Sequence, residues 1–460
     1  MSMAPTTSAL RSVDSGTHRR LLSQDARWRG VWVTAGVVSG LTALVKSTGA
    51  VKTLVIARFF GASAELDAYL LAFLIPSFIA EVLCGAIVPA LVPRLVELIH
   101  QENDTAVREL YTGAFRRSVK FVGCVALVLE LIAGLVLATH AGGVRTTLAC
   151  SLLLAMTPIL PLSAMSNVWR ATLNAHGRFA VSAGAAALTP IAIIGSLAIA
   201  GPHVYWLAAG SSVGALAETV ALSLALRGLK MPLLSRTSPR LPRGVEVAIH
   251  QYGSLAITNF VLGGSLFLDQ SMAAMLGFGA ISILNYGTRL VAVLIAVGPE
   301  ALGITLLPRF SQMAVEDEQK HLRPALYKFL AIAMGGSGVL TGLLVWLSGP
   351  IVKLVFQYGA FAASDTLSVA SVQRLSLLQL PFAVGAALLI RFIASAKLNR
   401  ILVPISAASL VLNAVLNLAL MRRFSVAGIA LATTFAQAAL FILLLMAVSR
   451  MLRSRETLAC

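Results

Sequence analysis

The sequence predicts an all-α polytopic membrane protein: about twelve transmembrane helices in two pseudo-symmetric six-helix lobes around a central cavity. Three observations carry this. Hydrophobic residues make up 58% of the 460 and charged residues only 12%, against roughly 45–50% and 25% in a soluble domain. Apolar runs long enough to cross a bilayer recur along the whole chain, and the mean hydropathy is +0.86. The second half also repeats motifs of the first at an offset near 218 residues.

Taken in order, residues 1–28 are polar and Arg-bearing and lack the apolar segment and cleavage site of a signal peptide, so they are expected to form a cytoplasmic tail. Six apolar runs follow near 30–57, 67–96, 119–141, 147–173, 180–200 and 204–226, giving an N-lobe over 29–226. The fourth contains Met156–Thr157–Pro158–Ile159–Leu160–Pro161, a break that a membrane helix tolerates where its neighbours satisfy the freed backbone groups. Residues 227–245, with Arg227, Lys230, Arg236, Arg240 and Arg243 among three prolines, are the longest internal polar stretch and form a basic cytoplasmic linker. Six further runs near 246–272, 283–308, 326–348, 366–396, 401–421 and 425–449 make a C-lobe over 246–449, and 450–460 is a cytoplasmic tail.

The repeat is visible in particular residues. Phe60–Gly61–Ala62 precedes a run ending Leu91–Val92–Pro93–Arg94, and Phe278–Gly279–Ala280 precedes one ending Leu306–Leu307–Pro308–Arg309. Two parallel six-helix units imply a cleft between lobes as the substrate route. Orientation follows from basic residues: 26 of the 36 Lys and Arg fall on the tail and loops of one side and five on the other, which places both termini in the cytoplasm. That distribution also accounts for the net charge of +17 without nucleic acid, since anionic lipid is the expected partner of short basic loops.

Five cations belong to neither set of loops: Lys46, Lys52, Arg289, Arg374 and Arg391. Each costs about 2.5–3.5 kcal/mol at a helix centre, so each needs a cavity, a partner or the interface. Arg374 and Arg391, near helix ends, are expected to snorkel. Lys46 and Lys52 from one lobe and Arg289 from the other suit an anionic headgroup such as a pyrophosphate. The intramembrane acids are Asp67, Glu81, Glu130, Glu218, Asp269 and Glu300. Asp269 is the foremost ion-site candidate, and structural pairing is expected for the others. The four cysteines and seven histidines show no disulfide, zinc or ligand spacing, and no Ser-His-Asp order, P-loop, HExxH or CxxC occurs. Catalysis, metal chemistry, a cofactor and direct use of ATP are therefore not expected; alternating access is left to depend on ion binding (sodium or protons), on membrane potential or on downstream removal of the substrate.

Several ordered motifs resemble those of the MviN/MurJ lipid flippases, within the multidrug/oligosaccharidyl-lipid/polysaccharide (MOP) exporter superfamily. They are Ile56–Ala57–Arg58–Phe59–Phe60–Gly61–Ala62 leading to Leu66–Asp67–Ala68–Tyr69, Ile281–Ser282–Ile283–Leu284–Asn285–Tyr286–Gly287–Thr288–Arg289–Leu290, Ala301–Leu302–Gly303, and Phe356–Gln357–Tyr358–Gly359–Ala360–Phe361. The resemblance implies a V-shaped cavity and export of an undecaprenyl-pyrophosphate-linked sugar across the bacterial inner membrane. It places Lys46 and Lys52 where the family has cavity arginines, Arg289 on a family arginine, and Asp67 on an acid required near them. A family sodium site falls on Asp269, Asn413, Asn417, Thr433 and the carbonyl of Ile429, with Asn417 replacing the family's second acid. Further departures are Ala80 and Glu81 in place of an arginine pair, Cys84 in place of an acid, and twelve runs where peptidoglycan flippases of this kind have two more helices. These departures favour an exopolysaccharide repeat unit, flipped by alternating access, over the alternatives: lipid II, a multidrug or cation antiporter, and a non-transporting scaffold for polymer assembly. Polysaccharide-assembly enzymes are expected as partners on that reading.

Overall fold

In the computed structural model, residues 40, 44–139, 144–229, 243–295, 319–395 and 401–459 are described. The expected tail over 1–28 and most of the linker over 227–245 lie outside them. The described residues are helical without strands. The helices are α1 (44–60), α2 (Ala64–Ile79), α3 (Ile87–His100), α4 (Asp104–Ala138), α5 (Val144–Met156), α6 (Ile159–Ala175), α7 (Phe179–Gly184), α8 (Leu188–Ala200), α9 (Val204–Arg227), α10 (Arg243–Ala273), α11 (Ala280–Ile295), α12 (Gln319–Phe356), α13 (Ala363–Leu377), α14 (Leu380–Ser395) and α15 (Leu402–Ala459).

Local chemistry sets these boundaries. Ser63 caps α2 by accepting the amide of Leu66 at 3.2 Å, and Asn103 caps α4 by accepting that of Ala106 at 3.0 Å. Pro76 lies inside α2, which runs on through a π-helical stretch, Ala80–Cys84, towards α3. The break expected at Thr157–Pro158 separates α5 from α6. Helix α4 begins well before the apolar run near 119–141, because hydropathy marks only the part inside lipid. Its 35 residues span about 50 Å, beyond the roughly 30 Å hydrocarbon core, so the turns carrying Arg108, Arg116 and Arg117 extend into the headgroups and water.

Eight stretches among the described residues are long and apolar enough to cross a membrane. The last, Leu402–Leu452, has 51 residues, about 75 Å if straight, and breaks at Ser425, whose φ is 52°. That break separates the two runs expected near 401–421 and 425–449. Leu127, Val128, Leu131, Ile132 and Leu135 of α4 are exposed and face lipid. One core lies among α3, α4, α6 and α9 of the first half, and another among α12, α14 and α15 of the second. A third crosses the seam: Phe60, Leu66 and Tyr69 pack with Tyr286, Phe356 and Phe361.

Candidate functional site

Glycines of the repeated motif close one end of the seam, the end at which the sequence places the outer loops. Gly61 has φ 54° and Gly279 φ 81°, both left-handed. A Cβ on Gly279 would stand 2.8 Å from the carbonyl oxygen of Ala62, and one on Gly61 would collide with that of Ala360, so only glycine lets the loops of opposite halves meet. Backbone and side chains then join across the gap. Ala360 N–H donates to the Arg58 carbonyl at 2.9 Å, and the Tyr286 hydroxyl to the Gly61 carbonyl at 3.2 Å.

Asp67 belongs to this seam and not to the substrate cavity expected for it. It is 0% exposed, and its Oδ1 accepts Ser282 N–H at 2.8 Å and Ser282 Oγ–H at 2.6 Å. Ser282 sits in the first turn of α11, so the carboxylate of one half caps a helix N-terminus of the other, where backbone N–H groups and the helix dipole favour negative charge.

Behind the closed end lies a cavity of about 290 Å³ between the halves. Lys52 of α1 and Arg289 of α11 both line it, with Asn285, Gln270 and Glu81. Gly49 leaves room for the guanidinium, whose Nη2 would be 3.7 Å from a Cβ there. Neither cation makes an ion pair among the described residues, and Arg289 Nε is buried with no hydrogen-bond partner. Lys46 does not join them. Six residues earlier on α1, it stands about 9 Å along the axis and about 120° around it, and is exposed. Glu81, on the π-helical stretch where the sequence departs from the family's arginine pair, brings an acid to the wall.

A second polar cluster lies between α10 and α15. Asp269 Oδ1 accepts the side-chain amides of Asn413 at 2.9 Å and Asn417 at 2.7 Å, and its Oδ2 lies 2.7 Å from Thr433 Oγ1. The Thr433 hydroxyl is also 3.0 Å from the Ile429 carbonyl. The side-chain carbonyl oxygens of Asn413 and Asn417 are buried without hydrogen-bond partners. One carboxylate and several neutral oxygens form a donor set of the kind a hard cation takes. No group of three or more His, Cys, Asp or Glu able to hold a metal occurs among the described residues.

Sequence reading missed Ser282 and the pairing of Arg170 with Glu218. Structural pairing was expected for Glu218 without a named partner: Arg170 lies on α6, where its Nη2 donates to Glu218 Oε1 of α9 at 2.6 Å. The Gly61 and Gly279 repeat was the available signal for the seam; nothing in the sequence pointed to Ser282.

Two helical halves, an intervening cavity and a closable end define the fold of a MOP-superfamily exporter. An inward-facing multidrug resistance transporter of the MATE family superimposes with a TM-score of 0.78 at 12% identity, covering 93% of this chain and all of that one. A lipid II flippase MurJ in an inward closed conformation gives 0.75 at 20% identity, with 90% and 87% covered. Within that class, the family profile described as lipid II flippase MurJ matches residues 56–459, and the chain belongs to this family of transporters. The lipid II flippase MurJ of Burkholderia cenocepacia is 27% identical over 350 residues, covering 72% of this chain and 67% of its own.

Proposed function

We propose that the chain moves a polyprenyl-pyrophosphate-linked cell-wall precursor of the lipid II class from the cytoplasmic to the outer leaflet of the bacterial inner membrane by alternating access. The observation that carries this reading is the Lys52–Arg289 pair: two cations, one from each half, in a shared cavity without an acidic ion-pair partner among the described residues. Arg289 offers a pyrophosphate a bidentate fork and Lys52 a point charge, and because they come from opposite halves a bound anion draws the halves together. Family membership supports lipid II over the exopolysaccharide unit that the departures around Ala80 and Glu81 favoured. The antiporter reading has less support, since a cationic substrate is repelled by both basic residues.

In this reading both termini are cytoplasmic, the lobes over 29–226 and 246–449 rock about the cavity, and Asp67–Ser282 is the outer latch. The Asp269 cluster is the coupling site. A single carboxylate neutralised by one sodium ion, with Asn413, Asn417, Thr433 and the Ile429 carbonyl as neutral oxygens, leaves no net charge inside the membrane; a proton on Asp269 does the same. The substrate is tested by depleting a host's own lipid II flippase while expressing this chain. Rescue of growth is expected, and none from Lys52→Ala/Arg289→Ala. Failure to rescue, with restored surface polymer in a strain lacking its exopolysaccharide flippase, returns the substrate to the exopolysaccharide unit.

A further inference from the structure

A cavity of about 290 Å³ holds a pyrophosphate but not the glycan attached to it. The first half contains a second cavity of about 260 Å³, among α1, α2, α6, α8 and α9, which shares Lys52 and Phe73 with the first. Its polar wall is Ser163, Ser166, Thr189, Ser211 and Glu218. We propose that this second cavity binds the sugar residue joined directly to the pyrophosphate. The inference rests on the flippase reading and adds a glycan subsite to it.

Connectivity is the first argument. Lys52 lines both cavities, so a phosphate held by its ammonium sits at their junction, and the sugar one ester bond away falls into the second. Chemistry is the other. A hexose presents hydroxyls at its edge and C–H bonds on its faces; this cavity offers a carboxylate and hydroxyls together with apolar Ile193 and Ala215, and Phe73 at the shared wall. Glu218 is held in place, its Oε1 taking Arg170 Nη2 at 2.6 Å and its Oε2 only a long contact of 3.4 Å with Thr189. A carboxylate offers about four acceptor positions, so room remains for donors from a sugar. Ser166 and Ser211 are fixed in turn, the first 3.0 Å from the Thr219 hydroxyl and the second 2.9 Å from that of Tyr69. Free ions are poorly served: Glu218 disfavours an anion and Lys52 a cation, whereas a neutral polyhydroxyl group suits both.

The test uses the full chain in lipid nanodiscs with two probes: a bare polyprenyl pyrophosphate and the same lipid carrying one N-acetylhexosamine. Wild type is expected to bind the glycosylated lipid about tenfold more tightly, the worth of one hydrogen bond to a charged group at the low end of its range. Glu218→Gln, and independently Ser163→Ala/Thr189→Val, which leaves the ion pair intact, should bring that preference below about threefold. Lys52→Ala should weaken both lipids alike. Equal binding of the two probes by wild type, or an undiminished preference in both cavity variants, overturns the subsite. If the bare lipid does not bind wild type, or binds Lys52→Ala/Arg289→Ala equally well, the flippase reading itself fails and the subsite with it. Loss of a pH response in Glu218→Gln with the preference intact would instead assign the cavity to protons and overturn the proposal.

Discussion

Replacing Asp67 by Asn should release the outer end of the seam. In the closed state Asp67 accepts two bonds from Ser282, at 2.8 and 2.6 Å, beside the N-terminus of α11. Hydrogen bonds to a charged group contribute about 1.5–3 kcal/mol each, and a charge at a helix N-terminus about 0.3–1 kcal/mol more. An asparagine carbonyl keeps one or both bonds in neutral form, so the net loss is about 2 kcal/mol, or a thirtyfold shift towards the outer-open state. Spin labels at Ala64 and Met275, at the outer ends of opposite halves, report that population by double electron–electron resonance. Ser282→Ala should shift it less, because the backbone N–H still donates, and combining the two changes should give less than the sum of the single shifts. An unchanged distance distribution in Asp67→Asn, or additive shifts, refutes the latch.

Gly279→Val should also open the outer end, because the left-handed backbone costs about 1–2 kcal/mol and the added Cβ meets the Ala62 carbonyl 2.8 Å away; the same spin labels read it, and a closed distribution counts against the argument. Lys52→Arg should keep binding of polyprenyl pyrophosphate, whereas Lys52→Ala/Arg289→Ala should lose tenfold or more in a fluorescence titration. Asp269→Asn should abolish any sodium- or proton-dependent shift in thermal stability, and Asn417→Asp should strengthen the sodium response by adding a second charge; a response unaltered in Asp269→Asn rules that carboxylate out as the coupling group.

Membrane class, most spans and the two-lobe repeat were legible in the sequence because they depend on composition and periodicity, which lipid enforces residue by residue. The break before Pro158 and the loop glycines at 61 and 279 were equally local, since proline and glycine act on their own backbone. Asp269 could be singled out as a buried acid, and the resemblance placed Asn413, Asn417 and Thr433 beside it, from helices more than 140 positions away. Side-chain partnership was decided by the tertiary structure. Asp67 became a latch because docking of the halves brings the α11 N-terminus, 215 residues on, within 2.8 Å of it. Lys46 and Lys52 share a helix, yet Lys52 and not Lys46 lines the cavity that holds Arg289, because which side of α1 meets the other half depends on packing. Arg170 finds its partner only when α6 and α9 pack and Glu218 meets it 48 residues away. Hydropathy reports how each segment partitions into lipid; which charges then meet is fixed only by the packing of helices that carry no record of one another.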